Sequence, residues 1–111
     1  MWPRAASRAA ERRNADDLAE MRRSIERMRR EPSDSVGFAD GDLSLHLAVA
    51  NASGNPFMRS IGAVIEAALR ASFVLSAPGD AREHDIAVAA HERIVEAIAD
   101  KDAEAAAAAM T

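Results

Sequence analysis

The stretch GDLSLHLAVANASGNP, residues 41–56, is compatible with two different secondary structures. Leucine recurs at every second position over residues 43–47, which is typical of a half-buried strand. Asp42 and His46, however, are four residues apart, a spacing that brings two side chains to one face of a helix. The rest of the sequence shows no strand pattern, and a lone strand would leave its backbone groups unsatisfied. We therefore predict a helix that presents a carboxylate and an imidazole together.

Two helices are predicted before this stretch. Residues 4–13 show helical spacing, and Asn14 is a candidate N-cap for a second helix, which Pro32 ends. The apolar residues of the second helix recur every three or four positions and are expected to form one buried stripe. They are Leu18, Met21, Ile25 and Met28.

A further helix is predicted directly after the stretch. Gly54 can close the helix that contains Asp42, since glycine adopts the left-handed conformation at helix ends. Asn55 can cap the next helix, with Pro56 at its first position, and apolar residues then follow at helical spacing for about five turns.

The last part of the chain is predicted to form two more helices. Asp80 is a candidate N-cap for a helix over residues 81–99, and either Asp100 or Asp102 starts the final one. The sequence thus predicts an all-α domain of about six helices. One face of the helix over 81–99 is formed by His84, Ala87, Val88, His91, Ile94, Val95 and Ile98.

Length and composition narrow the class of protein. A chain of 111 residues is expected to form a single domain, residues 1–111, with a buried core. The absence of cysteine excludes a disulfide framework and a thiolate metal site, and it fits a reducing compartment such as the cytoplasm. No apolar run approaches the ~20 residues that cross a membrane, so no membrane partner is expected.

The charge is distributed unevenly along the chain. Residues 1–31 hold nine Arg and six Asp or Glu, whereas the whole chain has a net charge of −4. The arginines are interleaved with acidic residues, as on a solvated helix face, and after Trp2 no aromatic residue alternates with them to stack on bases. We therefore expect no independent binding of nucleic acid.

Three histidines are the main candidates for chemistry, and all fall on predicted helices beside apolar residues. Asp42 and His46 are one helical turn apart, and His84 and His91 are two turns apart on one face. A carboxylate and imidazoles that converge from two helices can bind a divalent metal such as zinc or nickel. The alternative is that the histidines are partly buried and hydrogen-bonded to backbone or carboxylate groups.

Several catalytic patterns fail on spacing. HERIV, residues 91–95, begins like a zinc-protease helix, but Val95 occupies the place of the second histidine. The sequence contains no Glu-x-x-His of a di-iron bundle, no G-x-S-x-G and no glycine-rich phosphate loop. The chain offers metal ligands without an evident base and nucleophile pair. This pattern favours binding over catalysis, and we expect the chain not to be an enzyme.

Two segments resemble the effector-binding (FCD) domain of bacterial GntR-family transcription regulators of the FadR type. They are DLSLHLAVANASGNPFM, residues 42–58, and HERIVEAIADKDAEAAAAAM, residues 91–110. AASRAAERRNADDLAEMRRSIERMR, residues 5–29, is similar to the paired helices that open that domain. The matching positions are Asp42, His46, Asn55, His91, Ile94, Ala97, Ile98, Asp102, Ala106 and Met110.

The resemblance implies an antiparallel helical bundle that binds a small carboxylate-bearing metabolite or sugar acid near a divalent metal. By position, Asp42 and His46 match the first two metal ligands of the family, and His91 matches the third. The family's fourth ligand, a histidine, lies beyond the part matched here, and His84 is a candidate substitute. Arg70 is a candidate partner for the effector's carboxylate, since arginine pairs with carboxylates in a bidentate manner.

The resemblance also implies a homodimer whose DNA contacts are made through a winged helix-turn-helix domain. Nothing in residues 1–111 resembles that domain, so the chain is expected to be a sensor and dimerisation domain, truncated at both ends. Two alternatives stay open. One is a metal-dependent hydrolase built on a helical bundle, and the other is a plain helical interaction module with structural histidines.

Overall fold

Five helices and no strand make up the described part of the chain, which in this computed structural model comprises residues 2–31, 36–54, 56, 60 and 81–110. This confirms the predicted all-α fold class. Within the opening stretch, residues 41–52 are helical, as predicted from Asp42 and His46, and not extended. The helices are α1 (Trp2–Arg12), α2 (Ala15–Arg30), α3 (Val36–Ala52), α4 (Ala81–Ala99) and α5 (Ala103–Met110).

Some predicted features lie outside the described residues. Pro56 and Ser60 are helical, but the rest of the helix predicted from Pro56 onward falls in the part that is not described. The same holds for the helix end at Pro32 and for the caps at Asn55 and Asp80. Within the described residues, Gly54 has a φ of 72° just after α3, as predicted for a residue that closes a helix.

Both described N-caps were predictable from residue type. The Asn14 side chain accepts a hydrogen bond from the backbone N–H of Asp17 at 2.8 Å, and the Asp17 carboxylate accepts one from the Asn14 N–H at 3.0 Å. This reciprocal capping box satisfies two donors at the start of α2. At α5, the Asp102 carboxylate accepts from the Ala105 N–H at 3.0 Å, so Asp102 is the cap.

The turn from α4 to α5 requires a left-handed residue. Lys101 has a φ of 56° and donates its N–H to the Ile98 carbonyl at 3.1 Å. The next N–H, of Asp102, reaches back to the Ala97 carbonyl at 2.9 Å. These two bonds form a Schellman motif, which satisfies carbonyls at the end of α4 and reverses the chain.

A long-range contact fixes the same end of α4. The Arg13 guanidinium donates to the carbonyl oxygens of Ile98 at 3.4 Å and Ala99 at 2.6 Å. Since the last carbonyls of a helix carry partial negative charge, a cation there is stabilising. The corner between α1 and α2 is thereby joined to the C-terminus of α4.

The core lies between α2, α3 and α4 and extends to α1 and α5. On α2, Met21, Ile25 and Met28 are buried and Leu18 is half-buried, so the predicted stripe is confirmed. The apolar face predicted for α4 is likewise buried along its second half. The α4 residues in the core are Val88, Ile94, Val95, Ala97 and Ile98.

The α3 helix is more deeply buried than its pattern predicts. Leu43, Leu45, Val49 and Ala50 are buried, and Leu47 is half-buried. This helix therefore packs on more than one side, against α1 as well as α2. Its leucines at alternate positions reflect this burial on several sides.

Helix directions follow from pairs of charged residues. Arg22 lies 3.7 Å from Glu96, and Arg29, further along α2, pairs with Glu92, earlier on α4. Because the residue number increases along α2 while the number of its partner on α4 decreases, the two helices are antiparallel.

None of the described helices combines the length and the apolar character that a membrane crossing requires.

Candidate metal centre

The α3 helix brings Asp42 and His46 to one face, as their spacing predicts. Nδ1 of His46 lies 2.9 Å from the backbone carbonyl oxygen of Asp42 and 3.1 Å from its carboxylate Oδ1. Both oxygens can only accept, so Nδ1 carries the proton and donates it. In the neutral ring the lone pair is then on Nε2, the nitrogen that can bind a cation.

The α4 helix brings His91 to the same carboxylate. Nε2 of His91 lies 2.9 Å from Oδ1 of Asp42, and Nδ1 lies 2.6 Å from the carbonyl oxygen of Ala87. A carbonyl that fixes one ring nitrogen sets the tautomer and orientation of a histidine ligand. One carboxylate oxygen of Asp42 is thus shared by imidazoles from two helices.

The three residues form a group with the donor set of a metal site. One ligand atom from each of Asp42, His46 and His91 lies within 4.8 Å of the others. Their side chains are only 15–18% exposed, so the group is shielded from bulk water. Two imidazole nitrogens and a carboxylate oxygen are ligands that zinc and neighbouring divalent metals accept. These residues therefore fit a divalent cation.

Asp42 is ionised over the physiological pH range. Burial by itself raises the pKa of this carboxyl group, but hydrogen bonds from His46 and His91 and their positive charge outweigh burial and lower its pKa to about 2. Because the carboxylate form is ready at neutral pH, a cation need not displace a proton from Asp42.

The pKa of His91 is shifted in the opposite direction, upward. Burial lowers the pKa of its imidazole, but the hydrogen bond and charge of Asp42, together with the Ala87 carbonyl, raise the pKa above its usual value. The charged ring is favoured because each of its nitrogens faces an acceptor oxygen. A cation bound between His91 and Asp42 would replace the proton on Nε2.

His84 lies apart from this group. Its ring centroid is 5.2 Å from that of Phe38, and its buried Nδ1 has no hydrogen-bond partner among the described residues. Two helical turns separate His84 from His91, a rise of about 10.5 Å along the axis. The metal-ligand group in the described part of the chain does not include it. Arg70, the candidate effector contact, lies outside the described residues.

Trp2 is a neighbour of the group that sequence reasoning missed. Its ring centroid lies 5.0 Å from that of His46, with the planes at 86°, and the His46 and His91 rings are 5.9 Å apart at 70°. No local spacing rule relates a residue on α1 to one on α3. The contact arises only because those two helices pack together.

Comparison with known proteins assigns the class. The family model of the FCD domain matches residues 3–111, so the chain belongs to the FCD domain family. The solved structure of Streptococcus agalactiae GntR is similar, with a TM-score of 0.75 and 26% sequence identity over 99% of this chain. Both findings support a C-terminal FCD domain of the GntR family, a class of ligand-sensing regulatory domain.

The relation covers only part of that relative. This chain matches 49% of the Streptococcus agalactiae GntR chain, and so spans about half of its length. A search of curated proteins found no match.

Proposed function

We propose that this FCD domain senses a small carboxylate-bearing effector, an organic acid or sugar acid, at a divalent metal held by Asp42, His46 and His91. The observation that carries the proposal is the convergence of one ligand atom from each residue within 4.8 Å, across two helices. FCD domains are often metal-binding, which supports the same reading. Zinc or nickel suits two imidazoles and one carboxylate best.

At such a site, the protein's own residues orient the ligands and limit the access of water. Carbonyl oxygens of Asp42 and Ala87 orient the two imidazoles, and partial burial of the group limits access of water. Three protein ligands leave coordination positions that an effector's carboxylate can take. Arg70 as a partner of that carboxylate and His84 as a further ligand stay predictions.

The role of a longer regulator is also a proposal. An effector that binds one arrangement of two subunits better than another shifts the population towards it. In a homodimer this shift would change the relative placement of two winged helix-turn-helix domains and hence the binding of operator DNA. We place that activity in the cytoplasm, where bacterial DNA is found.

One observation favours a second candidate, a helical interaction module with structural histidines. Asp42 Oδ1 already lies within hydrogen-bond distance of both His46 and His91, so the polar atoms of the group satisfy one another. Binding measurements separate the two. A structural trio retains no metal, and its stability does not respond to added zinc.

The test is a thermal-shift screen of organic acids and sugar acids, with and without zinc or nickel. We expect a stabilising acid whose effect requires the metal and is lost in Asp42→Ala and His46→Ala. Asp100→Ala, which removes an exposed carboxylate in the turn after α4, is the matched control and should keep the response. Arg70→Ala should weaken the acid's effect but not metal binding.

Two results would count against the proposal. If no acid shifts the melting curve under any metal condition, the sensor function is contradicted. If the metal-loaded chain hydrolyses members of an ester or phosphoester panel and a chelator stops the turnover, the hydrolase alternative replaces it.

A further inference from the structure

Trp2 stands against the candidate metal centre from a third helix. Its indole ring and the His46 imidazole are nearly perpendicular, at 86°, with centroids 5.0 Å apart. This is the edge-to-face arrangement that aromatic rings prefer, because the positive edge of one ring meets the negative face of the other. Trp2 is itself partly buried and packs against the core.

The contact bears on the freedom of the His46 ring. The contacts of Nδ1 with the carbonyl and carboxylate oxygens of Asp42 hold the ring at that edge. Trp2 and His91 both stand close to the ring, with centroids at 5.0 and 5.9 Å. Together they limit the tilt and thereby the direction in which Nε2 points.

We infer that Trp2 is a positioning residue, which holds the His46 imidazole in the orientation that the candidate metal centre requires. The inference rests on the function proposed above, and the edge-to-face geometry of two rings on separate helices supports it.

The effect of a substitution at Trp2 on the orientation of His46 is expected to depend on whether the new side chain is aromatic. Phenylalanine keeps an aromatic ring and its quadrupole, whereas leucine fills much of the space without either. Trp2→Phe should preserve the orientation of His46, and Trp2→Leu should release it. Leu18→Ala removes another partly buried apolar side chain against the core, on α2, and serves as the control for a general loss of packing.

The first experiment uses the metal-free chain and reads the histidine rings directly. Carbon-13 relaxation of the ring Cδ2–H groups resolves His46, His84 and His91, since the chain contains three histidines. We expect added motion of the His46 ring in Trp2→Leu, little in Trp2→Phe and none in Leu18→Ala. His84, which contacts Phe38 instead, should not change. An equally ordered His46 ring in Trp2→Leu overturns the inference.

The second experiment measures nickel binding by calorimetry. Loss of an aromatic contact of this kind should weaken the affinity for nickel by about three- to tenfold in Trp2→Leu. Trp2→Phe, which keeps an aromatic ring, should retain most of the wild-type affinity. Because Trp2 is the chain's only tryptophan, its fluorescence reports on this site alone. Nickel should quench it in a saturable manner in the wild type and fail to do so in Asp42→Ala.

The outcomes separate the two proposals. If the wild type binds neither nickel nor zinc, the proposed function fails, and the ring relaxation alone decides whether Trp2 orients His46. If the wild type binds nickel and Trp2→Leu binds it equally well, the inference about Trp2 is overturned while the metal centre stands.

Discussion

His91 and Asp42 face each other at 2.9 Å, Nε2 to Oδ1, while Nδ1 of the same imidazole faces the Ala87 carbonyl oxygen at 2.6 Å. Both nitrogens therefore meet acceptors. A neutral imidazole has one N–H and can satisfy only one of them. Either a second proton or a cation must lie between His91 and Asp42, and the two compete for one position.

This competition predicts that metal binding releases a proton from His91. The pKa of His91 is raised, whereas that of Asp42 is about 2, so His91 is the group of this pair whose proton a cation displaces. Below the raised pKa, affinity for zinc should fall by about tenfold per pH unit for each proton displaced. Calorimetry in buffers of different ionisation enthalpy measures the proton count. A pH-independent affinity between pH 5 and 8 would contradict this assignment.

The metal-free chain should have its own pH profile of stability. Asp42 has a lowered pKa, so its contribution is present above the unfolded value of about 3.8 and is lost as pH falls towards 2. His91 has a raised pKa, so its contribution is present below its unfolded value of about 6.5 and is lost as pH rises through the folded value. The pair therefore stabilises most between about pH 4 and 6.5, and the lowered pKa of Asp42 by itself corresponds to about 2 kcal/mol.

Urea unfolding across this pH range checks the profile. Asp42→Asn removes the titrating carboxylate and, with it, the charge that raises the pKa of His91, so the free energy of unfolding should vary less with pH on both sides. Asp100→Asn, at an exposed site, is the control and should keep the wild-type profile. An unchanged profile in Asp42→Asn would show that the pair contributes nothing.

Gly41 is expected to control the position of Asp42, its neighbour on α3. A Cβ at Gly41 would lie 2.9 Å from Met28 Cγ and 3.3 Å from both the Met28 nitrogen and the Ser24 carbonyl oxygen of α2. Since backbone atoms cannot yield as a side chain does, Gly41→Ala should cost about 1–3 kcal/mol and weaken zinc binding.

Gly37→Ala is the matched control on the same helix. The three atoms nearest to a Cβ there belong to the side chain of Glu31, which can move away. Alanine's higher helix propensity should then make Gly37→Ala neutral or stabilising by up to about 1 kcal/mol. Urea unfolding of both variants provides the comparison, and an equal effect at the two positions would refute the close approach of α2 and α3.

Lys101→Gly should stabilise the domain. Lys101 adopts a φ of 56°, where a side chain costs about 1 kcal/mol and glycine does not. We expect a gain of about 1 kcal/mol in the free energy of unfolding for Lys101→Gly and no gain for Lys101→Ala, which retains a Cβ. If Lys101→Gly and Lys101→Ala were stabilised equally, the gain would come from loss of the lysine charge and not from the backbone conformation.

Several features could be predicted from residues that are close together in the sequence. The spacing of Asp42 and His46 predicted a helix, and residue type predicted the caps at Asn14 and Asp102, because these features depend on neighbours within four positions. The family resemblance placed His91 with Asp42 and His46, and the structure brings the three together. The two-turn separation of His84 from His91 was also present in the sequence, and it carries His84 away from the group.

Other features depend on how helices pack. Trp2 meets His46, Arg13 meets the end of α4, and Gly41 meets α2, each across a helix interface. No spacing within one helix encodes such a contact. The alternating leucines of α3 are also compatible with a strand, because burial on several sides removes the single apolar stripe that normally identifies a helix.

The most direct test of the central claim is the metal content of the purified chain after equilibration with zinc and dialysis. We predict about one retained ion per chain in the wild type, almost none in Asp42→Ala and His91→Ala, and full retention in Asp100→Ala. A wild-type chain that retains no ion, or an Asp42→Ala variant that retains as much as the wild type, would contradict a metal centre at these residues.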